Sequence, residues 1–335
     1  MELRKVQLTG GSSLTVTLPK AWADKTQLEA GDVVGCTEQP DGSLAVQPHV
    51  KGERAIQRYR IKADTASTEY LFRKIIAAYL MGYDAIEVYA KSPLSAEARR
   101  SIRKATTRIM GLEVIEEDMN AVTVQDFLDP KEFHVDKALR RMDMLTQAMQ
   151  QEAGAILSES EQGVLASVQD RDDEVDRLFW LVNKQFHALL RDVSYAAKME
   201  LSPSQALNVL LVARLCERTA DHAARIGLEA SKLERTDDME KFLEELGGAW
   251  RRACSLFEQS MKVFRSHDAD AADKIITKAN KFQEEQTKLL RKATDHGAEA
   301  VSYLAYIIES IGRTAAYAAD IGEVAINHKV ASAEN

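Results

Sequence analysis

The stretch ERTADHAARIG at residues 217–227 returns later in the chain as GRTAAYAADIG at 312–322, with seven of eleven positions identical. Self-similarity of this kind marks a duplicated structural unit. Around it, everything after Asp129-Pro130 reads as helix, with breaks near Ser158–Gly163, Leu201–Pro203, Arg235–Asp238, Ser266–Asp268 and Asp295–Gly297. Those breaks leave six long helices joined by short loops, a bundle architecture. The repeat divides them into two three-helix units, 129–233 and 234–335. Ser202-Pro203 gives one helix the usual N-cap and first-turn proline.

The mismatches within the repeat carry the functional signal. Glu217 becomes Gly312, Asp221 becomes Ala316 and His222 becomes Tyr317, while Arg-Thr-Ala and Ile-Gly are kept. The kept residues are expected to pack, and the acids have a separable role. Glu217 and Asp221, four residues apart, share one helix face. The preceding helix repeats the spacing with Asp172 and Asp176 in VQDRDDEVDRLFWLV. Two antiparallel helices, each with an acidic pair in an apolar stripe, offer four oxygen donors to one site. That arrangement suits a hard or borderline divalent or trivalent cation, with Fe, Mn, Mg or Zn as candidates. The plainer alternative is that such pairs are solvated. Arg218 is a candidate partner for a carboxylate, and His222 reads as a packed, hydrogen-bonded histidine. In the second unit the places of Asp172 and Asp176 fall on Gln283 and Thr287, if Lys288-Leu289 matches Arg177-Leu178. No comparable site is expected there.

Residues 1–50 have a different period. They alternate apolar and polar residues around turn signals at Gly10-Gly11, Ala30-Gly31-Asp32 and Pro40-Asp41-Gly42, with one helical turn from Pro19 through Ala23. So small an all-β segment buries too little to stand alone, and a dimer is expected. Residues 51–128 read as a βαβαββ layer, a four-stranded sheet with two helices on one face. Its helix-to-strand junctions, YLMGYDAIEV and RIMGLEVIEE, resemble each other, and it offers no catalytic constellation.

The ERTADHAARI and DDEVD motifs resemble those of the PhoU family of phosphate-uptake regulators. That family's fold is a pair of three-helix bundles marked by E(D)xxxD acids. The resemblance covers about 130–330 and implies multinuclear metal binding, carried over here to Asp172, Asp176, Glu217 and Asp221. The degenerate second unit departs from the pattern. LTGGSSLTVTLPKAWADKTQLEAGDVV is similar to an AbrB/SpoVT-type swapped-hairpin domain, in which two chains interlace and present basic loops to DNA. The combination is similar to archaeal PhoU-like regulators.

Charge tempers the DNA expectation. The chain carries a net −8, and residues 1–50 hold four Lys/Arg against six Asp/Glu. The four basic residues, Arg4, Lys5, Lys20 and Lys25, precede most of the acids, and Lys51, Arg54, Arg58, Arg60 and Lys62 lie just beyond. Arg4, Lys5, Lys20 and Lys25 are the candidate phosphate contacts, with Ser12 and Ser13 adding loop hydrogen bonds. The rival role is protein docking, with the helices binding a phosphate transporter ATPase or a signalling protein such as a sensor kinase and the β segment only dimerising. An enzyme is not expected, since the bundle shows no Glu-x-x-His pair and no nucleophile beside a base. Three scattered cysteines, Cys36, Cys216 and Cys254, fit a reducing cytoplasm. No apolar run is long enough to insert in a membrane.

Overall fold

A computed structural model describes residues 2–38, 42–48, 56–64, 66–129, 132–159, 163 and 165–333. Pro40, Asp41, Lys51, Arg54 and Pro130 lie outside the described residues. The chain divides into two compact units, Met1–Ala55 and Ile56–Asn335.

The first unit is two hairpins and a short helix. Strands β1 (Gln7–Thr9) and β2 (Ser13–Thr15) pair antiparallel across Gly10 and Gly11, which take φ of 63° and 86°. Helix α1 (Lys20–Thr26) runs a turn beyond the expected Ala23. Thr26 bonds back to the Trp22 carbonyl at 2.8 Å, and Gln27 closes the helix in the left-handed region. β3 (Gly35–Glu38) and β4 (Leu44–Gln47) form the second hairpin. None of the described residues here is buried, and Leu8, Leu14 and Val33 are 67%, 73% and 72% exposed. Such a segment leaves its apolar surface uncovered by its own fold.

The second unit opens with β5 (Arg58–Lys62), α2 (Thr68–Leu80), β6 (Ala85–Tyr89), α3 (Ala96–Arg108), β7 (Leu112–Glu117) and β8 (Ala121–Asp126). The sheet order is β5-β6-β8-β7, with only β5 and β6 parallel. Ser67 and Ser95 cap the two helices by accepting from the amides three residues on. Helices α2 and α3 pack together, so both lie on one face of the sheet, as the βαβαββ pattern predicts. The look-alike junctions turn at Gly82 and Gly111, with φ of 70° and 76°; at Gly111 an added Cβ would also meet the Leu128 Cβ at 2.5 Å. Strand β7 is one of the two edges and mostly exposed, and Glu113, Glu116 and Glu117 put charge along it, which discourages edge pairing.

Six long helices follow: α4 (Val135–Glu159), α5 (Leu165–Arg191), α7 (Pro203–Ala230), α8 (Asp237–Ser266), α9 (Ala269–Ala293) and α10 (Ala298–Ala333). A seventh, α6 (Val193–Met199), was not expected. It exists because Asp192 breaks α5 and accepts from the Tyr195 amide, restarting the helix. Ser202 caps α7 in a full capping box with Gln205, and Pro203 occupies the first turn. One continuous apolar core runs through both three-helix units. Trp250, 1% exposed, bridges them by donating its Nε1–H to the Gln150 carbonyl at 2.9 Å.

The repeat is visible as packing. Ala220 and Ala315, Ala223 and Ala318, and Ile226 and Ile321 are all buried. Thr219 and Thr314 both bond back to the carbonyl four residues earlier, at 2.8 and 3.0 Å. Gly227 faces Leu165 as Gly322 faces Ile276, which supports the offset that aligns α5 with α9. The kept arginine is the exception to the packing expectation, since Arg218 and Arg313 are both exposed.

Candidate functional site

Helices α5 and α7 pack side by side and bring the two acidic pairs to one face. Their mutual electrostatics show the convergence. Burial raises the Asp172 carboxyl to about 7, helped by Asp221, Asp176 and Asp173. Burial raises Glu217 to about 7 as well, with Asp221 and Asp176 adding to it and Arg214 opposing. Asp176 rises to about 6 through burial, with Arg108 holding it back. Partial burial raises Asp221 too, although its residue reaches solvent, against the pull of Arg214, Arg218 and Arg225. Four carboxylates so placed repel one another and favour protons or a cation.

Two arginines meet that demand in part. Arg214 donates to Glu217 Oε1 at 2.9 Å and lies over the Phe179 ring at 5.1 Å. The other Glu217 oxygen, Oε2, is buried with no hydrogen-bond partner among the described residues. Arg108 comes from the last turn of α3, in the α/β layer. Its Nη2 donates to Asp173 and, at 3.3 Å, to Asp176, and its guanidinium sits 6.0 Å from the Trp180 ring. The layer whose role the sequence left open therefore supplies a cation to the acidic face. Sequence reasoning missed Arg108, Asp173 and Arg214. The only signal for Arg108 is the basic run in ARRSIRKATTRIM, and nothing local says what that run faces. Arg218 forms no ion pair among the described residues; Arg214, one turn earlier, takes the role expected of it.

The donor chemistry of the four acids fits a hard cation. The geometry does not close on one: among the described residues no three His, Cys, Asp or Glu side chains stand close enough to hold a metal ion. In this arrangement the carboxylates meet arginine. The second unit lacks the acids and fills the space differently. A Cβ at Gly312, the counterpart of Glu217, would lie 2.4 Å from Gln286 Cδ and Oε1. His222 is a packed histidine, as its setting predicts. Its Nδ1 lies 3.0 Å from Ser310 Oγ and its Nε2 lies 3.5 Å from the Tyr317 hydroxyl. Tyr317 is the residue that replaces His222 in the repeat, so like positions of α7 and α10 meet, and their difference makes a polar pair. Burial holds the His222 imidazole down to about 4.

The other candidates lie in the first unit. Arg4 and Lys5 precede β1, Ser12 and Ser13 sit at the turn into β2, and Lys20 and Lys25 lie at either end of α1. All six are exposed. Arg4 pairs with Glu2 at 2.5 Å, whereas Lys5, Lys20 and Lys25 form no ion pair among the described residues.

The fold and site together define a duplicated three-helix protein that keeps an acidic cluster in its first half only. Residues 139–230 match the PhoU domain family, and residues 7–54 match the family described as antidote-toxin recognition MazE, bacterial antitoxin. The match to the PhoU family thus lies behind the match to the antitoxin family in the chain. Among solved structures it is similar to PhoU from Pseudomonas aeruginosa, at 17% identity and a TM-score of 0.51, covering 60% of this chain and 98% of that one. It is also similar to the phosphate transport system regulatory protein PhoU from Streptococcus pneumoniae, at 18% identity and a TM-score of 0.49, covering 59% and 94%. No curated protein matched. Among the described residues no helix is long and apolar enough to cross a membrane.

Proposed function

We propose that the protein is a cytoplasmic, homodimeric regulator of phosphate uptake that couples phosphate status to transcription. The observation that carries this is the joining, in one chain, of a PhoU domain to a segment of the antitoxin class. The first unit dimerises through its exposed apolar residues and holds DNA. Arg4, Lys5, Lys20 and Lys25 contact phosphates, and Ser12 and Ser13 bond to the backbone. The helices sense or dock, with a metal cation held among Asp172, Asp176, Glu217 and Asp221 as part of that role. It acts by binding rather than by catalysis.

A gel-shift at several salt concentrations tests the DNA contact. Lys5→Ala/Lys20→Ala should weaken binding and flatten its salt dependence, because each lost phosphate contact removes a released counterion. Binding that is unchanged in the double variant would sink the residue assignment. The six acids against four bases in residues 1–50 favour a second reading, in which the β unit only dimerises and the helices dock on a phosphate transporter ATPase or a signalling protein. Capture of a transporter subunit with no DNA shift would select it.

A further inference from the structure

A second cleft opens between the two three-helix units, away from the residues assigned above. Its volume is about 250 Å³, and it lies where α4 and α7 begin and α8 and α10 end. The first unit contributes Asp136, Arg140 and Gln205; the second contributes Arg265, His267 and His328. Arg140 is exposed and forms no ion pair among the described residues. Arg265 reaches across the unit boundary to Asp143 at 2.6 Å, and its remaining N–H groups form no hydrogen bond among the described residues. A guanidinium has five donors, so both arginines have donors to spare. The His267 and His328 rings stack at 4.8 Å with an interplanar angle of 13°, and His267 Nδ1 is buried without a hydrogen-bond partner. His267 is held in place by an unusual backbone, the left-handed C-cap of α8.

We infer that this cleft binds a phosphate group that retains a proton, as inorganic phosphate or as the head of a small phosphate monoester. The arginines supply fixed positive charge suited to an oxyanion. Asp136 supplies the selectivity. A fully deprotonated anion such as sulfate meets only repulsion from that carboxylate, whereas hydrogen phosphate can donate its O–H to it. Charge on the His328 imidazole is disfavoured by the stacked His267 ring and favoured by a bound anion. The charged groups facing the two rings are Asp136 and Arg140 from α4 and Arg265, paired with Asp143, from α8; the α7 wall contributes Gln205, which does not titrate. Burial and the neighbouring His267 hold His328 below the ordinary histidine range, with Asp136 pulling the other way. Anion binding therefore brings proton uptake. Because the ligand is gripped from both units, it ties them together.

Calorimetric titration of the full chain with sodium phosphate, glycerol 3-phosphate and sodium sulfate, at pH 6 and pH 8, tests this. Sulfate keeps its charge across that range, so its tighter binding at pH 6 reads histidine protonation, and His328→Gln should remove that gain. Phosphate should bind about tenfold tighter than sulfate at pH 8, and Asp136→Asn should erase the preference. Arg140→Gln should weaken both anions by about tenfold. Asp136 and Arg140 are exposed, so their variants should fold. At pH 6, where a monoester still holds part of its proton, tighter binding of glycerol 3-phosphate identifies a monoester as ligand, and tighter binding of phosphate identifies the free ion. No saturable heat with any of the three overturns the inference. So does a phosphate-to-sulfate ratio that Asp136→Asn leaves unchanged. A null titration beside an intact gel-shift would remove this site and leave the regulatory reading standing.

Discussion

Lys184→Met should cost the protein about 3–5 kcal/mol, because it leaves a buried carboxylate without its counter-charge. The Lys184 and Asp126 side chains are 4% and 6% exposed, and their ion pair joins α5 of the bundle to the end of β8. Lys184 also donates to the Leu128 carbonyl at 3.1 Å and lies 4.6 Å from the Tyr79 ring centre. Burial already drives the Asp126 carboxyl upward against the pull of Lys184. Without the lysine that carboxyl must take up a proton or draw water into the interface. Urea denaturation gives the loss. Hydrogen exchange should localise it to residues 56–128, where the sheet loses its anchor on the bundle. The double change Lys184→Met/Asp126→Leu should recover a large part of the deficit, since an apolar pair pays no desolvation penalty. A single variant as stable as the parent would show that the ion pair is not what docks the layer.

What the sequence could and could not disclose follows from the range of the interactions. The duplicated helix was legible because its packing residues recur at fixed spacing, and Thr219 with Thr314 or Gly227 with Gly322 repeat the same contact in each half. The acidic pairs were legible for the same reason, since spacing of four on adjacent helices is a local pattern. Local capping chemistry was readable at Ser202, but the restart of the helix after Asp192 was not, because an aspartate inside a helical run is an ordinary surface residue until it caps. Partners distant in sequence stayed hidden. Arg108 lies 65 positions from Asp173 and Lys184 lies 58 from Asp126. Neither residue type nor local period says that these meet, and only the docking of the α/β layer on α5 brings them together. The same holds for the second cleft, whose arginines and histidines come from helices in both units.

The acidic cluster should make the protein less stable as pH rises from about 4 to about 7. Its carboxyls have higher pKa values folded than unfolded, so the native state binds more protons over that interval and stability falls with pH. For Glu217, buried to 9% exposure and raised to about 7, the contribution is of order 3 kcal/mol. Glu217→Gln should therefore stabilise the protein by about 1–3 kcal/mol at pH 8 and change little at pH 4, because the amide keeps the shape without the charge. Arg108→Ala should act in the opposite sense. It removes the cation that bonds Asp173 and Asp176, and its cost should be larger at pH 8 than at pH 5, where Asp172 and Asp176 are more nearly neutral. Urea denaturation of the parent and both variants at pH 4, 5 and 8 reads all three statements, and a pH-independent Glu217→Gln effect would refute the electrostatic account. Adding manganese(II) at pH 8 separates a cluster satisfied by arginine from one that also takes a metal. A metal bound by the acids would raise the parent's midpoint with concentration, as any ligand of the native state does. It would raise that of Arg108→Ala further, since the arginine and the metal compete for the same carboxylates. Glu217→Gln/Asp221→Asn should show neither rise. An equal rise in all variants would place the manganese elsewhere and leave the cluster to its arginines.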